Sequence, residues 1–222
     1  GKGTQTRLLA AALRRQKRRL AVFSFPSYDK TLAGGLVGAY LDGSLGDPRH
    51  IDSRLAAVLF ALDRFERKAG IEKAMKSGAL VLCDRYVGSN LAHQAARTPE
   101  AQRPDLRRLI ERLEYGVLGL PRPSLVLYLD MPDALAQERV KLKGERSYTR
   151  AELDAHEADR RHLGLALAEY RRQAAARRDW VLIRTVDADG TPRTREAIHA
   201  DIMAALVRRG IVSEPRRPSR RR

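Results

Sequence analysis

Four short apolar runs, separated by longer stretches of helical spacing, organise this 222-residue chain. The runs fall at residues 19–25, 79–83, 124–129 and 180–186. The run at 79–83 is continuously apolar rather than alternating, as expected of a strand buried on both faces of a parallel sheet, and 124–129 reads as another. Helical spacing predicts helices over 5–18, 52–77, 104–116, 134–142, 150–177 and 194–209. The 52–77 helix carries Leu55, Val58, Leu59, Leu62 and Phe65 on one stripe. Strands alternating with helices predict βαβ units, hence an α/β fold of three layers with a parallel sheet in the middle. Ligands of such sheets sit at the carboxyl ends of the strands. Two of those ends are rich in chemistry: Phe25-Pro26 and Cys83-Asp84-Arg85.

Length fits one domain with a substantial core. The single cysteine, Cys83, excludes an internal disulfide framework and fits a reducing cytoplasm. No apolar run approaches the length of a bilayer span. The net charge of +16 suggests a nucleic-acid binder until its distribution is considered. Residues 207–222 hold seven arginines against one carboxylate, Glu214. The rest is scattered without aromatic interleaving. Residues 211–222 are therefore expected to be a basic, solvated, disordered tail, with weak nonspecific attraction to nucleic acid as its alternative use. Basic clusters nearer the middle suit an enzyme that holds two polyanionic nucleotides.

Gly1-Lys2-Gly3-Thr4 precedes an amphipathic helix and matches the second half of a phosphate-binding loop. In such a loop, backbone N–H groups and the helix N-terminus wrap phosphates while the lysine brings a point charge. The run Asp84-Arg85-Tyr86-Val87-Gly88-Ser89-Asn90 opposite it supplies one anion for a hydrated Mg²⁺ and one guanidinium fork for a phosphate. The bland alternative for Asp84 and Arg85 is an ion pair capping the strand. Phe60 reads equally as core, Arg64 as a solvated helix face, and Ser89 and Asn90 as helix caps.

Taken together, Phe25-Pro26-Ser27-Tyr28 with Thr31, Gly34 and Tyr40-Leu41, then Leu59-Phe60-Ala61-Leu62-Asp63-Arg64, then the run from Asp84 to Gln94, resemble the thymidylate kinases of bacterial type. The blocks stand in that family's order and spacing, and the likeness continues through Glu114 to Pro121. The resemblance implies a P-loop nucleoside monophosphate kinase fold and transfer of ATP's terminal phosphoryl group to dTMP, giving dTDP, with Mg²⁺. It implies that Gly1, Lys2, Gly3 and Thr4 hold the ATP phosphates, that Arg85 clamps the acceptor phosphate and that Asp84 organises Mg²⁺ through water. Phe60 would stack on thymine, Arg64 would bond a base carbonyl, and Ser89, Asn90, His93 and Gln94 would line the pocket beside Phe25, Pro26 and Tyr28. A lid over ATP would span about 139–152, with Arg139 and Lys143 on the nucleotide and Arg146 as the catalytic arginine. Lys143 falls where the family's lid arginine is expected, and lysine cannot make the same forked contact. The family also implies a homodimer and no membrane association.

His93 stands where the family often has tyrosine, and Ser27 where it often has a phosphate-contacting arginine, with Lys30 nearby. The kinase-like domain is expected over 1–210, incomplete at its N-terminus, with the first strand and half of the loop missing. Buried backbone groups left unpaired cost about 1–3 kcal/mol each, against a typical net stability of about 5–15 kcal/mol. The chain as written is therefore expected to be marginal in stability and weakly active. The rivals are another nucleoside monophosphate kinase, a catalytically impaired nucleotide-binding protein, and a basic nucleic-acid binder.

Overall fold

The computed structural model describes residues 1–133, 135 and 160–213. The expected lid, the helix predicted over 134–142 and the arginine tail from 214 onward lie outside those residues.

Helix α1 (Lys2–Arg15) starts three residues earlier than its apolar spacing predicts. It ends where Lys17 adopts φ 57, a left-handed conformation that stops a helix. Strand β1 (Leu20–Ser24) follows, then α2 (Leu32–Leu41) and the long α3 (Ser53–Lys76). Asp52 caps α3 by accepting from the Arg54 amide, and Gly78 at φ 74 turns the chain into β2 (Leu80–Asp84). Helix α4 (Val87–Ala96) leaves β2 at once, and α5 (Arg103–Glu111) runs on into a π-helical turn at Arg112–Val117. Strand β3 (Val126–Asp130), helix α6 (Arg160–Ala176), strand β4 (Trp180–Arg184) and helix α7 (Arg195–Arg208) complete the described order. No described helix is long and apolar enough to cross a membrane.

All four strands pair in parallel, as predicted. They form two pairs: β1 with β2, in register Leu20↔Leu80 to Ser24↔Asp84, and β3 with β4, in register Val126↔Trp180 to Asp130↔Arg184. Among the described residues no ladder joins the pairs. Side chains join them instead. Leu9 and Leu13 of α1 and Ile198, Ile202 and Leu206 of α7 form one apolar layer over Leu80, Leu82, Leu127, Leu129 and Ile183, so it spans both pairs. Val212 packs into this layer, so the core reaches past the boundary expected at 210. On the opposite face, Ala21, Phe23, Val81 and Cys83 pack towards Ile71 of α3, while Val87 and Leu91 of α4 pack on Ala57, Leu106 and Ile110. Gly88 is needed where α4 crosses β4: a Cβ there would lie 2.7 Å from the Trp180 ring.

The apolar stripe of α3 does not face this core. Leu55, Val58, Leu62 and Phe65 are exposed and Leu59 is half-buried, while α3 buries Ala56, Ala57, Ala61, Asp63, Arg64 and Ile71.

Candidate active site

The carboxyl end of β2 and the N-terminus of α1 come together. A Cβ on Gly3 would lie 3.7 Å from the Asp84 carboxylate, and one on Gly1 would lie 4.0 Å from Met131, just past β3. The first turn of α1 carries no acidic side chain. Its leading amides and the positive end of its dipole therefore point to where an anion would rest, beside both strand ends. Lys2 is exposed and Thr4 half-buried there. Arg85 sits at φ 65, a left-handed conformation unusual for a residue with a Cβ, as the chain swings from β2 into α4.

A second set of residues forms a buried polar triad between α3, α4 and the π-helical turn. Arg64 is 2% exposed and meets the fully buried Glu114 through Nε and through Nη2, the latter at 2.6 Å. Asn90 donates from Nδ2 to the same carboxylate at 2.8 Å and to the Ala57 carbonyl at 3.0 Å. Two acceptors on one side fix the orientation of the amide, because only the NH₂ end can satisfy them. Asn90 Oδ1 must then point away. It is buried without a hydrogen-bond partner among the described residues. Such an acceptor costs stability unless a ligand or water supplies a donor. Arg64 is thus buried and not on a solvated face, and Asn90 is buried and not a helix cap.

The Phe25–Tyr28 segment is held from α3. Asp63, fully buried, accepts from the Ser27 amide at 2.9 Å and from the Thr31 hydroxyl at 2.6 Å. Glu66 accepts from the first amides of α2, at Leu32 and Ala33. Gly34 makes this close approach possible, since a Cβ there would lie 2.4 Å from the Ser27 carbonyl oxygen. The Phe25–Pro26 peptide is cis. Phe25 is buried against the Tyr86 ring, Tyr28 and Lys30 are exposed, and Ser27 is buried. Phe60 is half-buried and meets Tyr40 edge-on at 6.1 Å.

The third set crosses from α4 to α6. Arg85 Nη1 lies 3.2 Å from His93 Nε2, and His93 Nδ1 lies 3.2 Å from His162 Nε2. An arginine only donates, so His93 Nε2 must accept. His93 Nδ1 then carries the proton and donates to His162, which fixes both tautomers along the line. Tyr170 donates to Ser89 at 2.8 Å and stacks on Tyr128 at 5.3 Å. Burial, followed by the charge of Asp130, pushes the Tyr128 hydroxyl well above its ordinary range, so it stays protonated and donates to Asp130. Arg171 closes on the same carboxylate at 2.9 Å.

The structure therefore groups the predicted residues in three clusters: Gly1, Gly3 and Asp84; Arg64 and Asn90; Arg85 and His93, with Ser89 on the same helix. Gln94 is buried one position beyond His93. Arg139, Lys143 and Arg146 lie outside the described residues. Sequence reasoning assigned no role to Asp63 and Glu114, although both stand in the blocks that carry the resemblance, and missed His162 and Tyr170. A buried acid has no signature of its own along the chain, and His162 is brought to His93 only by the packing of α6 on α4.

The thymidylate kinase family model matches residues 1–177. The thymidylate kinase of Mycobacterium tuberculosis is 34% identical over 159 residues, which cover 72% of this chain and 73% of that protein. A probable thymidylate kinase of Pyrococcus horikoshii is 35% identical over 145 residues, covering 65% of this chain and 66% of its own length. A thymidylate kinase structure from Candida albicans superposes with a TM-score of 0.66 over 95% of this chain and 87% of that one, at 16% identity, a likeness of fold. With the P-loop kinase fold, the buried triad and this match over most of its length, the chain belongs to the thymidylate kinase family.

Proposed function

We propose that the protein phosphorylates dTMP to dTDP at the expense of ATP, in the cytoplasm. The observation that carries this reading is the meeting of the α1 N-terminus with the Asp84–Arg85 end of β2. A helix N-terminus suited to phosphate oxygens then lies beside the Asp84 carboxylate, with Arg85 the next residue in the chain. Lys2, Thr4 and the leading amides of α1 would receive the ATP phosphates, and Arg85 would turn from His93 to fork the dTMP phosphate. Among the described residues no three acidic or sulfur or imidazole groups cluster as a metal cage. A lone carboxylate fits Mg²⁺, which keeps several waters and binds through one or two carboxylates plus substrate phosphates. Asp84 would hold it through water, and when bound the ion neutralises charge on the transferring group. The acceptor phosphate is already anionic, so no general base is needed. Rate then comes from positioning and charge stabilisation away from water.

The triad supports a reading of base recognition. Thymine carries a donor at N3 and cytosine an acceptor, and Asn90 Oδ1 is a buried acceptor without a donor. Arg64 commits Nε and Nη2 to Glu114, which leaves Nη1 to reach a base carbonyl. Phe60, Gln94, Ser89, Phe25, Pro26 and Tyr28 would complete the pocket. The protein would work as a homodimer through the exposed apolar faces of α2 and α3.

ADP release with MgATP and dTMP, dUMP, UMP, dCMP or AMP tests the reading. Turnover selective for dTMP is expected. A folded protein that turns over none of the five, or prefers AMP or dCMP, would overturn it.

A further inference from the structure

The outer side of the molecule carries a second concentration of charge that phosphoryl transfer does not use. Between α5 and the C-terminal half of α6 lies an open cleft of about 520 Å³. Arg107 and Arg108 of α5, Arg122 ahead of β3, and Arg172 and Arg177 at the end of α6 line it, with Glu111 as their carboxylate. It shares no lining residue with the site at the ends of β2 and α1.

The charges there do not balance. Arg103, Arg107 and Arg172 converge on one buried acid, Glu169, at 3.7, 3.1 and 2.9 Å. Arg177 pairs with Glu111 and Arg108 with Asp105. Arg122 lies 4.2 Å over the Tyr115 ring. Six guanidiniums thus meet three carboxylates among the described residues. At Arg107, burial first, and then the charge of Arg172, push the guanidinium below its ordinary range. It still stays charged at neutral pH, and an anion bound in the cleft would offset the excess of positive charge.

The kind of anion follows from geometry. Guanidinium forks suit phosphate oxygens two at a time. The volume is that of a small-molecule site. A groove for single-stranded nucleic acid would offer aromatic faces for stacking, and Tyr115 is covered by Arg122 instead. We propose that this cleft is a second anion site, taking a small polyphosphate: either the triphosphate arm of a nucleotide or a free inorganic chain of a few phosphates. It has a route to the transfer site, because Glu169 and Arg172 alternate along α6 with Tyr170 and Gln173, which hold Ser89 and the Gly88 carbonyl.

The test is calorimetric titration of the full chain with inorganic tripolyphosphate at low salt. Wild type is compared with the double variant Arg108→Gln/Arg122→Gln and with Lys2→Met. The double variant is the informative one, because neither side chain touches Glu169, whereas Arg107→Gln would also untie α5 from α6. A tripolyphosphate site weakened at least tenfold in the double variant, kept in Lys2→Met, and lost without a change beyond twofold in KM for dTMP or ATP, is expected. ATP titrated into Lys2→Met separates the two sources: binding as tight as tripolyphosphate means a nucleotide arm, and much weaker binding means a free chain. Unchanged affinity in the double variant, loss only in Lys2→Met, or equally tight binding of citrate would overturn the proposal. The binding outcomes do not depend on whether dTMP is the acceptor; only the KM comparison does.

Discussion

Asn90 shows how neighbouring groups decide which end of a buried amide is left for a ligand. Its amide faces Glu114 and the Ala57 carbonyl, which leaves Oδ1 buried and waiting. Asn90→Ala should lower kcat/KM for dTMP by about tenfold to a hundredfold, the equivalent of one buried hydrogen bond of about 1.5–3 kcal/mol. It should leave dCMP turnover alone, and an equal loss on both nucleotides would refute the orientation argument. Glu114→Gln removes the countercharge of a buried guanidinium and should cost about 3–5 kcal/mol in urea unfolding. Arg64 and Asn90 were legible because they stand in a recognisable pattern. The pairing of Glu114 with Arg64 was not, because the two lie 50 positions apart and the π-helical turn aims the carboxylate inward. Cys83 is the opposite case, readable as core from its apolar strand. Burial pushes its thiol from 9.0 to about 12. Between those values the native state keeps a proton that the unfolded chain loses, so stability falls as pH rises, by about 1.4 kcal/mol per pH unit for such a group. Cys83→Val should make the decline between pH 9 and 11 shallower. Parallel curves would show that the thiol takes no part, since the raised hydroxyls of Tyr86 and Tyr115 remain in both proteins.

Among elements, the strands were the most legible, since a continuously apolar run flanked by helices admits few other readings. Helix α2 was not predicted. Its Gly34, Gly35 and Gly38 argue against a helix by propensity, and tertiary partners override them: Thr31 caps it and Glu66 takes its first two amides. For α3 the spacing gave the right element and the wrong expectation of what it faces, because periodicity defines a stripe without saying what covers it. Alanines let α3 lie close to its neighbours, and Leu55, Val58, Leu62 and Phe65 were left outside. Close approach also governs the crossing of α4 over β4. Gly88→Ala would drive a methyl to within 2.7 Å of the Trp180 ring and should cost about 1–3 kcal/mol. The atoms in the way, Cζ2 and Cη2, do not exist in phenylalanine, so Gly88→Ala/Trp180→Phe should recover more stability than the two single changes predict by addition. Strict additivity would show that Gly88 is there for another reason.

For the whole molecule, the exposed stripe of α3, with Leu55 66% and Phe65 44% exposed, adjoins exposed Leu32 and Leu36 of α2. A monomer rarely leaves an apolar patch of this extent uncovered, and sedimentation velocity should find a dimer. Leu62→Glu should shift it to monomer without unfolding the protomer. A monomeric wild type at micromolar concentration would rule out this face. The pairing of strands has a further consequence. Among the described residues the β1–β2 half and the β3–β4 half are fastened by packing under α1 and α7 and by the line from Arg85 through His93 to His162. The N-terminus of α1 lies beside both sides of that seam, near Asp84 on one and Met131 on the other. A nucleotide pair laid across it would act as a brace as well as a cargo, and would add stability in proportion to the logarithm of its concentration over its dissociation constant. Turnover would then remove its own scaffolding once per cycle. The enzyme would be most exposed to unfolding and proteolysis when nucleotides run short, so that supply of substrate sets how long each molecule lasts.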